Sequence, residues 1–165
     1  MAILRQPTPE DGPAVWRLVK GTGVLDLNSM YQYVMFFDRF SETCVLAEQE
    51  GKVVGFVTAF KAPKNPKTIF VWQVGVDASA RGQGLASRLL DHLLQLPECR
   101  GKVRWMETTV TPSNQPSRAL FHSLAKRHHA RCEIVPGFDG SLLGEGHESE
   151  ELYKIGPLTS FAGKS

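Results

Sequence analysis

Cysteine is scarce in this chain: Cys44, Cys99 and Cys132 are the three among 165 residues. Their number is odd, their spacing is wide and no CxxC pair occurs. That pattern argues against a disulfide framework or a zinc knuckle and for small buried thiols. An excess of charge of one sign is also missing. Lys plus Arg number 19 and Asp plus Glu 17, a net charge of +2. A dedicated nucleic-acid binder usually carries a large basic excess. The balance still leaves room for a local basic patch facing a phosphorylated ligand. No run approaches the roughly 20 apolar residues of a membrane span. The opening MAILRQPTPEDG lacks the apolar stretch of a signal peptide. Fixed-period repeats, long linkers and low-complexity tracts are absent. Together these gaps point to a soluble protein of a reducing cytoplasm.

What is present is an ordinary globular composition, 42% hydrophobic and 22% charged, which excludes disorder as the main state. The length suits one domain. Residues 1–158 are expected to form it, with 159–165 as a frayed tail. A short strand over 2–6 precedes Thr8, a helix N-cap followed by Pro9 and the acids Glu10 and Asp11. Val15, Leu18 and Val19 give one helical face. Asn28 or Ser29 caps a second helix over 30–40. Strands over 43–48 and 53–60 flank a Glu50–Gly51–Lys52 turn, a hairpin signal. A loop over 63–67 and a strand over 68–76 follow. A helix runs to about Leu96, then a strand over 104–110, a helix over 119–128 and strands over 131–135 and 148–155. The central hairpin argues against a doubly wound parallel sheet. The expected class is α/β (α+β), with a mixed, mostly antiparallel sheet and helices packed on its faces.

The segment Arg81-Gly82-Gln83-Gly84-Leu85-Ala86 joins a strand to a helix. Glycines let a backbone turn tightly and aim several N–H groups at one point. A helix N-terminus adds about half a positive charge. The combination forms an anion site suited to a pyrophosphate, and Arg81 adds a charge-assisted contact. The nucleotide loop GxxxxGK[ST] is not present. The dinucleotide pattern GxGxxG fails at Ser87. A glycine-bearing helix start without a ligand is the alternative.

Arg81-x-x-Gly84-x-Ala86 after Val74-Gly75-Val76 resembles the acetyl-CoA motif of the GCN5-related N-acetyltransferase superfamily. A second superfamily pattern is similar to Asn114, Ser117, Leu120 and Phe121. Four further blocks are similar to the branch that acetylates diaminobutyrate in ectoine biosynthesis. These are Asp26-Leu27-Asn28-Ser29-x-Tyr31-x-Tyr33, Phe70 to Val74, Thr109 to Asn114, and Gly146-His147-Glu148-x-Glu150-x-Leu152. The resemblance implies a superfamily fold, acetyl-CoA as co-substrate, no metal, L-2,4-diaminobutyrate as acceptor at its γ-nitrogen, and a homodimer. It implies cofactor contacts at Val74, Val76, Arg81, Gly82, Gln83, Gly84, Leu85, Ala86, Asn114, Ser117 and Phe121. A transferase for another small diamino acid or polyamine, or a silent acyl-CoA-binding module, are the competing readings.

The implied acceptor carries two ammonium groups and a carboxylate. One ammonium must lose its proton before it can attack, and the rest of the molecule must be held to fix which nitrogen reacts. Acids and an aromatic wall suit that task. Asp26 is an ammonium acceptor or a helix-entry cap, and Asn28 a contact or a cap. Tyr31, rather than Tyr33, is expected to point inward. Trp72 shares its strand face with Val74 and Val76 and forms the pocket floor or part of the core. Gln73, on the other face, is a weaker candidate. On a strand, Glu148 and Glu150 share a face and His147 takes the other. The resemblance favours His147 near the acceptor and Glu150 as ammonium anchor or base. Glu107 is a further acidic candidate. Many superfamily members carry a proton-donating tyrosine where Phe121 stands, so the thiolate here leaves by another route. His122 is expected to be exposed, and His128 and His129 to lie on the surface as a helix ends.

Overall fold

The computed structural model of the protein describes residues 1–158, and the predicted frayed tail lies outside the described residues. The chain falls into two units. One comprises Met1–Phe60 with Val71–Cys99; the other comprises Lys61–Phe70 with the residues from Arg100 onward.

The first unit opens with β1 (Ile3–Arg5) and a 3-10 turn at Pro9–Asp11. Thr8 and Asp11 form the reciprocal capping arrangement that the sequence signals. Arg5 grips Asp11 with two nitrogens, each at 2.9 Å, and reaches Glu48 at 3.4 Å. The guanidinium holds the Asp11 carboxyl below its usual range, helped by hydrogen bonds from Thr8. Helices α1 (Gly12–Thr22) and α2 (Met30–Arg39) follow. Val15, Leu18 and Val19 of α1 and Tyr33, Phe36 and Phe37 of α2 join Cys44, Leu46 and Phe56 in one apolar cluster. Helical spacing of those positions is what makes each helix one-sided.

Strands β2 (Val45–Gln49) and β3 (Lys52–Ala62) pair antiparallel. Glu50 and Gly51, both at positive φ, make the two-residue connection favoured by the strand twist. The loop expected over 63–67 shrinks to two residues, because β4 (Asn65–Val76) begins earlier than predicted. Pro66 fits there because an extended φ suits its ring and a strand end can spare its N–H. Helix α3 (Leu85–Gln95) buries Leu85, Leu89, Leu90, Leu93 and Leu94 and ends before Pro97, as read.

The second unit holds β5 (Trp105–Val110), α4 (Gln115–Arg127), β6 (Arg131–Pro136) and β7 (Glu151–Gly156). The order of hydrogen-bonded strands is β1-β2-β3-β4-β5-β7-β6. The four pairings β1/β2, β2/β3, β5/β7 and β6/β7 are antiparallel. This is the mixed, mostly antiparallel sheet that the central hairpin implied.

Three expectations need correction in this unit. Helix α4 starts four residues earlier than predicted, since Asn114 is its N-cap, accepting from Ser117 N–H at 3.2 Å. Strand β7 starts later, so His147, Glu148 and Glu150 precede it and the alternating-face argument does not hold for them. Residues 137–138 run beside Glu150 instead: Gly137 N–H donates to its carbonyl at 2.9 Å and its own N–H donates to Phe138 at 2.8 Å. Finally, His128 is buried, at 7% exposure, because it continues the stripe of Phe121, Leu124 and Ala125. His129 and His122 are exposed as read. No helix of the described residues is long and apolar enough to cross a membrane.

Candidate active site

In the first unit, β4 alternates between a half-buried face of Trp72, Val74 and Val76 and a buried face of Val71, Gln73 and Gly75. The strand ends at Val76, and the N–H of Asp77 just beyond it donates to the Val54 carbonyl at 2.8 Å. Asp77 caps the 3-10 turn at Ala78–Ala80. Hydrogen bonds from the Ser79 hydroxyl and N–H lower the Asp77 carboxyl below its usual range, aided by Lys52 and Arg81. The glycine loop follows. Arg81, Gly82, Gln83 and Gly84 are all exposed, and Arg81 Nε donates to the Val76 carbonyl at 3.3 Å.

Gly84 is the N-cap of α3 at φ 69°. It carries no side chain to satisfy the first-turn N–H groups, so those donors are open to solvent or to an anion. A Cβ built on Gly82 or Gly84 meets nothing within 4 Å, so the space above the loop is open. Leu85 anchors the helix start in the core while its main chain stays at the loop. Ala86 is half-buried behind it. The loop thus presents exposed main-chain donors of the kind that can take an anion.

The same unit assembles an aromatic wall. Trp72 stacks on Tyr33, with centroids 5.7 Å apart and planes 20° apart, and meets Phe36 at 5.3 Å. Phe40 and Phe60 extend the group. Tyr31 is the exception to the reading: it is 76% exposed, whereas Tyr33 is fully buried. Positions 33, 36, 37 and 40 form a helical stripe that includes Tyr33 and leaves Tyr31 outside, and counting it would have identified the inward ring. Asp26 is exposed and Asn28 half-buried. Neither caps α2; Ser29 does, accepting from Gln32 N–H at 3.2 Å. The Asp26 carbonyl accepts from Gln73 Nε2 at 2.8 Å, which makes Gln73 a structural partner that the sequence undervalued.

In the second unit Asn114 and Ser117 sit at the exposed start of α4, and Phe121 is buried one turn on. The Ser113 hydroxyl donates to the Glu148 carboxylate, joining the α4 entrance to the segment before β7. His147 Nδ1 lies 2.6 Å from the Glu148 carbonyl. A carbonyl can only accept, so the proton of a neutral ring sits on Nδ1 and Nε2 keeps its lone pair. Glu150 is half-buried. Glu107 stands opposite Lys154 in the β5–β7 register. No group of three or more His, Cys, Asp or Glu among the described residues is placed to hold a metal ion. Burial pushes the Cys44 thiol up to about 12, and partial burial raises Cys132 as well. Neither is set up as a thiolate nucleophile.

Residues 14–125 match the model of the acetyltransferase (GNAT) family. The chain belongs to the GNAT acetyltransferase family. Among its relatives is the L-2,4-diaminobutyric acid acetyltransferase of Halalkalibacterium halodurans, 49% identical over 154 residues, covering 93% of this chain and 80% of the relative. The enzyme of the same description from Marinococcus halophilus is 48% identical over 158 residues, covering 95% and 91%. A solved structure of diaminobutyrate acetyltransferase EctA from Paenibacillus lautus, in complex with its substrate L-2,4-diaminobutyric acid and coenzyme A, superposes with a TM-score of 0.92. It is 44% identical and covers 96% of each chain. The GNAT assignment accounts for the order of the two motifs, one at the strand-to-helix loop before α3 and the other at the start of α4.

Proposed function

We propose that this GNAT acetyltransferase moves the acetyl group of acetyl-CoA to the γ-amino group of L-2,4-diaminobutyrate, giving the N4-acetyl product. Similarity over nearly the whole chain to an enzyme solved with that amino acid and coenzyme A is the observation that carries the reading. In this reading residues 1–158 act as one catalytic domain, since β3 and β4 each contribute to both units. Amides of Gly82, Gln83, Gly84, Leu85 and Ala86, with Arg81, hold the pyrophosphate. Main-chain groups of Val74 and Val76 hold the pantetheine arm. Asn114, Ser117 and Phe121 serve the cofactor from α4. Asp26, Asn28, Trp72, His147 and Glu150 serve the acceptor.

The γ-ammonium gives its proton to Glu150, and the free amine attacks the thioester carbonyl. A tetrahedral intermediate forms, with its oxyanion held by a strand amide near Val74. The nitrogen gives its second proton to water, the C–S bond breaks, and the sulfur leaves as thiolate. Phe121 cannot protonate it, so water or another side chain supplies that proton. The high value of the buried Cys44 thiol supports direct transfer over an acyl-cysteine intermediate. One observation favours a second choice of base: the Nδ1 bond of His147 leaves Nε2 free to take a proton.

A homodimer, a cytoplasmic location and a place in osmotic-stress ectoine synthesis complete the proposal. Thiol release from acetyl-CoA tests it, with diaminobutyrate run beside lysine, ornithine, spermidine and no acceptor. Preference for diaminobutyrate supports the reading. Turnover only with another amine discards the substrate, and coenzyme binding without any turnover points to a silent binding module.

A further inference from the structure

Gln73 is a neutral amide at 6% exposure in the core of the first unit. A buried amide is tolerated when its donors and acceptor are paired. Here the pairing links three separate elements. Its Nε2 donates to the Asp26 carbonyl at 2.8 Å, in the α1–α2 connection. Its Oε1 accepts from the Tyr33 hydroxyl of α2 at 3.0 Å. Its main-chain N–H donates to the Thr58 hydroxyl of β3 at 3.1 Å. The amide orientation follows from chemistry: a carbonyl can only accept, so the NH2 must face Asp26 and the oxygen must face the phenol.

The connection carrying Asp26 has few other anchors. Thr22 Oγ1 accepts from Val24 and Leu25 N–H at 3.4 and 3.3 Å, but those bonds are local. Asn28 Nδ2 donates at 3.4 Å to the same Asp26 carbonyl. Leu25 packs at Gly75, where a Cβ would stand 2.9 Å from Leu25 Cδ1 and 2.6 Å from Phe56 Cε1. The neighbouring side chains Val24, Leu27 and Tyr31 are 83%, 45% and 76% exposed. Gln73 is therefore the polar tether that holds Asp26 to β4. Through Tyr33 the same amide also holds the ring on which Trp72 stacks.

We infer that Gln73 is a positioning residue for the acceptor amine: its amide fixes Asp26 and the Tyr33–Trp72 wall in one register and thereby sets selectivity for diaminobutyrate. The inference rests on the acceptor site proposed above. Gln73→Met keeps the side-chain length and removes the tether. It should raise the KM for diaminobutyrate about tenfold, the loss expected for one hydrogen bond, and leave that for acetyl-CoA within about twofold. Discrimination against ornithine, one methylene longer, should fall in the same proportion. The single variant also strands the buried Tyr33 hydroxyl, so a second variant separates positioning from stability. Gln73→Met with Tyr33→Phe removes both polar groups; its Tm should recover toward the parent while the raised diaminobutyrate KM persists.

A KM that recovers together with Tm in the double variant overturns the inference, as does a parallel rise in both KM values or no rise at all. A parent enzyme that fails to acetylate diaminobutyrate overturns the proposed function and this inference with it. A working parent with an indifferent Gln73 variant overturns the inference alone.

Discussion

At Gly84 the backbone and the ligand make separate demands that only glycine meets. Its φ of 69° disfavours any side chain, and in the proposed function the exposed α3 N-terminus beside it takes the phosphate. Gly84→Asp adds strain and places a carboxylate where that phosphate belongs. Coenzyme A affinity should drop by at least about 100-fold, combining a left-handed penalty with like-charge repulsion, while the circular dichroism spectrum stays native. Calorimetric titration reads the change, and retained affinity would remove the pyrophosphate from this loop. Trp72 is different in kind, since it is half-buried against the core and belongs to the proposed acceptor pocket. Trp72→Ala should raise the diaminobutyrate KM at least about tenfold more than the acetyl-CoA KM, given what an aromatic wall contributes to holding a cation. Equal increases would mean that Trp72 is only core. The loop residues were legible because a glycine pattern between strand and helix has few uses. Tyr33 and Gln73 were not, because their roles depend on contacts between residues 40 and 47 positions apart in sequence.

Elements that carry strong periodicity or a punctuating residue were read within a residue or two. Helix α3, with its leucine stripe and Pro97, and the hairpin at Glu50–Gly51 are examples. Helix α4 starts ahead of the predicted position, with Pro116 in its first turn, where a helix accepts proline. The start of β7 was missed because acids spaced by two imitate a strand pattern, while Gly137 and Gly140 pack against residues 147–150 and hold them out of β7. At this scale the Arg5–Asp11 pair ties β1 to the turn before α1 and makes a pH prediction. The folded Asp11 value lies below the unfolded one, about 3.9. Its contribution is complete above that value and is lost as pH falls through the folded value, because the unfolded chain binds the proton first. The urea midpoint should therefore decline below about pH 4, and Asp11→Asn should be less stable at neutral pH with a shallower decline. The same slope in both proteins would show that the pair does not contribute.

Across the whole molecule, composition excluded large classes of function but selected none. The class of sheet came from one hairpin, and the chemistry came from two motifs separated by a helix and a strand. The proposed acceptor residues are the least legible feature, since Asp26 and Asn28 lie on a connection before α2, and His147 and Glu150 on a segment before β7, neither of which has a regular pattern. Regiochemistry is the sharpest consequence of the proposed function, because the two amines of diaminobutyrate differ only in position and neighbouring charge. Two-dimensional carbon–proton NMR of the product formed from acetyl-CoA and L-2,4-diaminobutyrate tests it most directly. The account expects the acetyl carbonyl to correlate with the γ-methylene protons. Correlation with the α-proton, or no acetylated product, would contradict it.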